Sequence, residues 1–355
     1  MTIQQKIKAF EQLGNVFILA AEADKAVPDK LHVKKLAELA HSVHIYNGWF
    51  TKENVLNAFE ALGRMLTGEN LEKWLNNYEI KDVKPKNAGL IMAGNIPLVG
   101  FHDILCVLMS GHNLIIKASS NDRQLPKCVA EILISIEPEF KDRITFTEGQ
   151  LKDLDAVIAT GSNNSSRYFE YYFSKLPHII RKNRNSIAVL DGSETADEMR
   201  LLGNDIFQYF GLGCRNVSKI FVPPGYDFDN IFRAVFDFRS VLQNNKYCNN
   251  YEYNKTVYLM NGVKLLENGF LLLKEDIGLS SPVAVLYYEY YKSEADLIER
   301  LRMDGPHIQC IVSKMAACRT GRQFIENTVD FGQTQTPELW DYADGVDTLK
   351  FLLKV

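Results

Sequence analysis

Cys214 stands directly after two glycines, Gly211 and Gly213, and just before the apolar run "SKIFVP" at 218–223, which predicts a buried strand. Glycines let a backbone approach a ligand closely and leave its amide groups exposed. A cysteine in such a loop can attack a carbonyl carbon as the thiolate. A small, buried and inert cysteine is the alternative, since most free cysteines are of that kind. The residues of this stretch leave both interpretations open.

Two other stretches place polar side chains where predicted strands end. Asn95 lies in "GNIPLVGFHD" at 94–103, and Lys117 ends the apolar run "NLIIK" just ahead of Ser119 and Ser120. In an open parallel sheet, ligands bind beyond the carboxyl ends of the strands. An amide there can donate a hydrogen bond, and a lysine with serines can meet a phosphate or a ribose. A plain turn and a solvated lysine are the alternatives.

A fourth stretch, "IATGSNNSSRYF" at 158–169, ends a predicted strand at Gly161 and Ser162 and then opens a helix. The free amides of a helix N-terminus suit a pyrophosphate, although an ordinary connection uses the same residues. The G-x-G-x-x-G fingerprint is missing. Gly211 and Gly213 supply only its first half, and they follow a predicted helix rather than a strand.

The spacing of apolar residues, which predicts the helices and strands that position these residues, changes along the chain. Residues 1–85 place apolar residues at helical spacing, as in "TKENVLNAFEALGRML". From about residue 88, short apolar runs alternate with amphipathic segments, which is the pattern of a parallel sheet with crossover helices. A second series of alternating strands and helices is predicted from about residue 205. The sequence therefore predicts an α/β protein with N-terminal helices and two α/β parts.

Composition narrows the class of protein. The chain has 355 residues, 46% of them apolar and 24% charged, and its net charge of −4 shows no basic excess of the kind that nucleic-acid binding requires. No apolar segment approaches the roughly 18 residues of a membrane span, and no signal peptide is evident. Six cysteines without a C-x-x-C pair argue against a zinc site and a disulfide framework. We expect a cytoplasmic protein without a metal.

Taken in order, five motifs resemble those of the aldehyde dehydrogenase superfamily, namely "GNIP", "IIKASS", "ATGS", "FGLGC" and "KEDIGLSSPV". The similarity is closer to the long-chain acyl-CoA reductases of the LuxC type, in "NGWFTKENV", "FGLGCRNVSKIFVP" and "GQTQTPELWDYADGVDTLKFL". The resemblance implies an aldehyde dehydrogenase-like fold. Its parts would be helices at 1–85 packed on a Rossmann-like NADP(H)-binding domain at 86–205, an α/β catalytic domain at 206–320, and a tail at 321–355 that returns to the cofactor domain.

The resemblance also implies roles for the catalytic residues. Cys214 aligns with the catalytic nucleophile of the superfamily. Asn95 aligns with the asparagine whose amide, with the backbone N–H of Cys214, forms the oxyanion hole. The resemblance identifies no general acid. From the residues alone His307 in "DGPHIQC" is one candidate, but a structural histidine beside a turn is the favoured interpretation.

The cofactor residues follow from the same alignment of motifs. Lys117, with Ser119 and Ser120 after it, aligns with the group that holds the adenosine ribose. Gly161 and Ser162 align with the turn that cradles the pyrophosphate, and Glu275 aligns with the glutamate that holds the nicotinamide ribose.

Two departures from the superfamily matter. Its hydrolytic members carry a glutamate in E-L-G-G-K, whereas the matching stretch here has no acid from Arg181 to Leu190. The glutamate that closes K-P-S-E is replaced by Ser120, and this glutamate would repel a 2′-phosphate. Its loss, with Lys117 and Arg123 nearby, favours NADPH on electrostatic grounds.

The implied function is NADPH-dependent reduction of a long-chain fatty acyl-CoA to the aldehyde through an acyl-cysteine. Reduction of an acyl phosphate is one alternative, because Arg215 adjoins Cys214. Two others are a subunit that accepts its acyl group from a partner protein, and an NADP(H)-binding scaffold without activity of its own. Assembly into a homo-oligomer is compatible with each.

Overall fold

The computed structural model describes residues 1–22, 31–80, 84–320 and 328–355. The chain divides into two compact units, of which the first comprises residues 1–183 and 337–355 and the second residues 184–336. The sequence predicted the main boundary near 205, but it lies earlier. The reason is that the segment after residue 184 forms a strand that pairs within the second unit, although its apolar run reads like the strands before it.

Four helices open the first unit: Ile3–Ala21 (α1), Leu31–Ser42 (α2), Lys52–Met65 (α3) and Gly68–Leu75 (α4). Helix α1 begins with a capping box, in which the Thr2 hydroxyl accepts from the Gln5 amide and the Gln5 side chain accepts from the Thr2 amide. The apolar faces of the helices meet in one core, where Phe17 stacks on Phe59. The same core continues into the sheet that follows.

That sheet has five parallel strands: Asn87–Ile91 (β1), Asn113–Lys117 (β2), Ile144–Phe146 (β3), Ala156–Thr160 (β4) and His178–Arg181 (β5). Three helices connect them: Phe101–Ser110 (α5), Gln124–Ile136 (α6) and Asn163–Phe173 (α7). The spatial order is β3-β2-β1-β4-β5. The strand order therefore reverses between β1 and β4, which is where such sheets form their ligand crevice.

The second unit holds a seven-stranded sheet in the order β12-β11-β6-β7-β10-β9-β8. Its strands are Asn185–Val189 (β6), Val217–Val222 (β7), Leu266–Glu267 (β8), Leu272–Glu275 (β9), Val285–Tyr290 (β10), Ile308–Val312 (β11) and Thr328–Val329 (β12). Its α-helices are Ala196–Phe207 (α8), Asp229–Ala234 (α9), Asn245–Met260 (α10), Glu294–Asp304 (α11) and Ala316–Thr320 (α12). The pairing of β8 with β9 is antiparallel and the other pairings are parallel.

The end of the chain belongs to the first unit, where Thr348–Leu352 forms the last helix (α13). The imidazole of His112 contacts the Leu352 carbonyl at 3.0 Å, and the buried ion pair of Arg181 and Asp103 is joined by the Thr348 hydroxyl. Residues 328–336 stay in the second unit, because β12 pairs with β11. In the described parts of the chain, no helix combines the length and the apolar run that a membrane crossing requires.

Candidate active site

Cys214 lies in a loop whose backbone is bent in an uncommon way. After α8 ends, three consecutive residues adopt left-handed conformations: Tyr209 with φ 53°, Phe210 with φ 59° and Gly211 with φ 76°. Only the glycine does so without a steric cost, which is about 1–2 kcal/mol for each ordinary residue. Such a conformation persists only where its surroundings fix it. The bend turns the chain from α8 toward β7 and leaves Cys214 exposed at its end.

Asn216 fixes this loop with a side chain that is almost fully buried. Its Oδ1 accepts the amide N–H of Gly213 at 2.9 Å, and its Nδ2 donates to the carbonyls of Asp205 at 3.0 Å and Gln208 at 2.8 Å. The side chain thus ties the turn before Cys214 to the last turn of α8. The residues alone did not predict a role for Asn216. The only signal was an asparagine two residues after the cysteine, a residue type that often bonds to nearby backbone.

The backbone of Cys214 is held from the neighbouring strands. The Ser186 hydroxyl donates to the Cys214 carbonyl at 2.9 Å and accepts the Cys310 amide at 3.2 Å, with the Cys310 sulfur also 2.9 Å away. Burial raises the pKa of the Cys310 thiol to about 11, so this thiol stays protonated. Cys214 itself is exposed, whereas the other five cysteines are buried or half-buried. Among the six cysteines, Cys214 is therefore the most accessible to a substrate in solution.

A second clamp joins α8 to the segment that begins the late "GQTQTPELW" motif. The buried carboxylate of Asp205 accepts the amides of Gly332 at 2.7 Å and Thr334 at 3.1 Å, and the Thr334 hydroxyl at 2.8 Å. Burial raises the pKa of Asp205 to about 6. Arg215 reaches the Thr334 carbonyl at 3.4 Å. The motif therefore has a structural task beside the cysteine loop.

Glu275 is exposed at the end of β9. In the strand register it is the partner of Tyr288 in β10, and Tyr288 is in turn the partner of Ile220 in β7. The segment after Glu275 returns along the start of β7. The Ile277 carbonyl accepts from Lys219 at 3.0 Å and from Arg300 at 2.7 Å, and the Leu279 carbonyl accepts from the Ser218 hydroxyl at 2.8 Å. The return segment is thus fixed next to the strand that Cys214 precedes.

In the first unit, Asn95 is exposed in the loop after β1. This loop touches the loop after β2, because a Cβ added at Gly94 would lie 2.6 Å from the Ser119 hydroxyl. Glycine is therefore required at position 94, because the loop of Asn95 and the loop of Ser119 approach each other closely there. Ser120 follows, exposed to solvent.

The charges near Lys117 are mixed. Its ammonium donates to the Gly149 carbonyl at 3.1 Å, and Arg123 is paired with Glu148 at 3.1 Å in the loop after β3. Glu148 is 85% exposed. The two cations expected to favour a 2′-phosphate are therefore accompanied by one carboxylate, which reduces the net positive charge at this edge of the sheet.

Gly161 and Ser162 lie at the junction of β4 and α7. The Ser162 hydroxyl caps the helix by accepting the Ser165 amide at 3.2 Å. A Cβ at Gly161 would lie 2.9 Å from Ser165 and from Phe169, so only glycine lets the helix start this close to the strand. This junction is beside the point where the strand order reverses, and its exposed Ser162 and narrow glycine turn fit a dinucleotide pyrophosphate.

The stretch without an acid, residues 181–190, runs from the end of β5 into β6. The buried Arg181 is neutralised by Asp103, so this ion pair belongs to the core of the first unit. His307 is exposed in the turn before β11. Among the described residues, no group of three or more His, Cys, Asp or Glu side chains is arranged to hold a metal ion.

Solved structures with similar folds are aldehyde dehydrogenases. Aldehyde dehydrogenase 21 from Physcomitrella patens, in complex with the reaction product succinate, matches with 12% identity and a TM-score of 0.67 over 98% of this chain and 84% of that one. An acetylating aldehyde dehydrogenase from Geobacillus thermoglucosidasius matches with 11% identity and a TM-score of 0.66 over 97% and 84%. An aldehyde dehydrogenase from Mycobacterium tuberculosis, complexed with NAD+, matches with 17% identity and a TM-score of 0.54 over 82% and 70%. The predicted aldehyde dehydrogenase-like fold is confirmed.

No curated protein sequence matches the chain. The model of the acyl-CoA reductase (LuxC) family matches residues 13–234, a range that includes Asn95 and Cys214 and ends before Glu275. The predicted class of enzyme is thereby confirmed as an oxidoreductase that acts on aldehyde or acyl groups. The chain belongs to the LuxC family of acyl-CoA reductases.

Proposed function

We propose that the protein reduces a long-chain fatty acyl-CoA to the aldehyde with NADPH, through an acyl group carried on Cys214. The observation that carries this proposal is the setting of Cys214. Alone among the six cysteines it is exposed, and its loop is fixed by Asn216 and Ser186. A fixed loop supports a nucleophile because catalysis depends on holding the reacting atom in place.

In the first step, the Cys214 thiolate attacks the thioester carbonyl and a new carbon–sulfur bond forms. The carbonyl oxygen becomes an oxyanion, which the backbone N–H of Cys214 and the amide of Asn95 stabilise. Donors of this kind contribute about 3–4 kcal/mol each. The tetrahedral centre then collapses, the bond to CoA breaks, and CoA leaves as a thiolate that takes up a proton. The Asn95 role rests on its motif and on its exposure at the sheet edge.

The cofactor residues would hold NADPH along the edges described above. Lys117, Ser119 and Ser120 would bind the adenosine ribose and its phosphate, and Glu275 the nicotinamide ribose. The junction of Gly161 and Ser162 would cradle the pyrophosphate, which its narrow turn supports. When bound, NADPH supplies the hydride that reduces the acyl carbon. Cys214 then leaves that carbon as the thiolate, and the aldehyde is released.

The preference for NADPH over NADH rests on Ser120, which stands where a ribose-binding carboxylate would repel a 2′-phosphate. Lys117 adds a positive charge nearby, whereas Glu148 offsets that of Arg123. We therefore expect a preference for NADPH that is clear but smaller than two uncompensated cations would give.

Arg215 favours one second candidate, the reduction of an acyl phosphate. Arg215 follows Cys214 directly in the chain and its guanidinium donates to the Thr334 carbonyl, so a phosphate leaving group at Cys214 would have a cation nearby. An acyl group delivered by a partner protein is a third source for the same acyl-cysteine. These candidates differ in the donor and share the nucleophile.

NADPH oxidation with a series of acyl-CoA chain lengths, and with an acyl phosphate in parallel, tests the function. We expect turnover with acyl-CoA that increases with chain length and vanishes in Cys214→Ser. The variant Cys248→Ser, which changes the half-buried cysteine, is the matched control and should keep its activity. Faster turnover with acyl phosphate than with acyl-CoA would show that the acyl donor is a phosphate. Full activity in Cys214→Ser would overturn the mechanism.

A further inference from the structure

Asp122 is a buried carboxylate that the mechanism above does not use. It is 1% exposed and follows Ser119 and Ser120 in the turn after β2. Its Oδ2 accepts the amide N–H of Leu98 at 2.9 Å, and the amide of Leu125 also faces the carboxylate. A buried carboxyl group is costly unless its oxygens accept hydrogen bonds, and these two backbone amides supply them.

The partner of Asp122 is a strained residue in the loop that carries Asn95. Leu98 has a φ of 55°, in the left-handed region, and its side chain is buried. A leucine keeps this conformation only when the surrounding structure fixes it. The Leu98 carbonyl accepts the amide of Phe101, where α5 begins, at 2.9 Å. The conformation of Leu98 therefore sets the direction in which the Asn95 loop enters the helix.

The same turn also contacts the other side of that loop. Ser119 lies against Gly94, where a Cβ would come within 2.6 Å of its hydroxyl. The Ser119 hydroxyl accepts the Asn121 amide at 3.2 Å, and the Ser119 carbonyl accepts the Asp122 amide at 3.1 Å. Asn95 thus lies between two contacts made by one short turn, one at Gly94 and one at Leu98.

The turn is itself supported by the helical layer. The buried side chain of Asn47 donates to the Asn121 carbonyl at 3.2 Å and accepts the Trp49 amide at 3.1 Å. Asn47 opens the "NGWF" stretch, which had no role in the mechanism. The hydrogen bond from Asn47 anchors the turn of residues 119–122 within the first unit. The anchored turn can therefore hold the loop after β1 in place.

We propose that Asp122 is a positioning residue that holds the Asn95 loop, through the Leu98 amide, in the conformation that the oxyanion donor needs. The inference rests on the proposed function of Asn95. Without the carboxylate, Leu98 is free to leave the left-handed region, and the Asn95 amide loses its orientation. The Lys117 ammonium is held by the Gly149 carbonyl and not by this contact, so its part in NADPH affinity should change little.

The test measures acyl transfer from excess acyl-CoA to Cys214, without NADPH, by rapid quenching and mass spectrometry. Asp122→Ala should slow the transfer about 10-fold or more, since misplaced catalytic groups cost up to about 100-fold. Asp122→Asn keeps a carbonyl oxygen as acceptor and should stay within about threefold. Asp142→Ala, which removes an exposed aspartate of the same unit, is the control and should match wild type. If Asp122→Ala does not fold, Asp122→Ser takes its place. The serine side chain is shorter than that of aspartate, so its oxygen lies farther from the Leu98 amide.

A double-mutant cycle separates positioning from general damage. In the Asn95→Ala background, Asp122→Ala should have no further effect, because the group it positions is gone. An equal slowing in both backgrounds, or wild-type transfer in Asp122→Ala, would overturn the proposal.

Hydrogen–deuterium exchange of the peptide covering 94–100 gives a reading that does not depend on activity. Exchange should accelerate in Asp122→Ala and not in Asp122→Asn. Unchanged exchange in Asp122→Ala refutes the contact itself. Failure of the proposed function would look different, as an absence of acyl transfer to Cys214 in the wild type with the exchange result intact.

Discussion

The Oδ1 atom of Asn216 accepts the amide N–H of Gly213 at 2.9 Å, while its Nδ2 donates to two carbonyls at the end of α8. One buried amide thus closes the loop that carries Cys214 and holds three left-handed residues in place. Cys214 owes its fixed position to a side chain that takes no part in the proposed chemistry.

Asn216→Ala should therefore damage both stability and activity. Loss of three hydrogen bonds worth roughly 1 kcal/mol each should lower the free energy of unfolding by about 2–3 kcal/mol. Acyl transfer to Cys214 should fall by about 10-fold or more in the protein that remains folded. Urea unfolding and the transfer assay measure the two effects, with the exposed Asn249→Ala as control. An Asn216→Ala protein with wild-type stability and rate would show that the loop is fixed otherwise.

Lys117 and Glu148, two neighbouring charges at the edge of the first sheet, should have opposite effects on NADPH affinity. Lys117→Ala should weaken NADPH binding by roughly tenfold or more, because a charge-assisted hydrogen bond contributes about 1.5–3 kcal/mol. Glu148→Gln should tighten NADPH binding and leave NADH nearly unchanged, because it frees Arg123 from its carboxylate. Fluorescence titration of both cofactors measures this. Equal affinities for NADPH and NADH in the wild type would refute the interpretation of Ser120.

Asp122 should also change how stability depends on pH. Burial raises its pKa from 3.8 to about 7, so the folded state holds a proton that the unfolded state releases near pH 4. No charged side chain contributes to this shift, and the neighbouring Arg123 is paired with Glu148. The contribution of Asp122 to stability should thus decrease as pH rises from about 4 to about 7 and then stay constant.

Comparison with Asp122→Asn isolates this contribution, since Asp205 shifts in the same direction. Urea unfolding from pH 5 to pH 8 should show the wild type losing stability relative to the variant, by on the order of a few kcal/mol. A constant difference across this range would mean that Asp122 ionises normally.

Much of the sheet edge could be predicted from the sequence, because its physical basis is local. Short apolar runs that end in polar or glycine residues predicted strands before Asn95, at Lys117 and before Gly161, and the strands end at Ile91, Lys117 and Thr160. Parallel strands place those ends on one edge by their geometry alone. The α/β class follows from the same pattern.

Several supports of the site could not be predicted, because they join residues far apart in the chain. Asp205 meets Thr334, Ser186 meets the Cys214 carbonyl, and Asp122 meets Leu98. No periodicity encodes which buried polar group meets which amide. The boundary at residue 184 was missed for a related reason, since an apolar strand does not reveal which sheet it joins.

The stretch without an acid predicts that the acyl-enzyme resists water. A positioned general base contributes about 10²–10⁴-fold, and residues 181–190 supply none. With aldehyde and NADP+, the protein should form acyl-CoA when CoA is present and little free acid when it is absent. Chromatographic assay of the free fatty acid decides this. Sustained acid production over many turnovers would mean that a base from elsewhere, such as Glu275, activates water.

If Cys214 carries the acyl group of the reaction, peptide mass spectrometry will find the group on that residue. The protein is incubated with a long-chain acyl-CoA in the absence of NADPH, digested at mildly acid pH and mapped at all six cysteines. We predict one acyl group per chain, on Cys214, which disappears when NADPH is added. The buried Cys310, whose thiol burial keeps protonated, should remain unmodified. An acyl group on Cys248 or Cys310 with Cys214 unmodified would contradict the proposed role of Cys214.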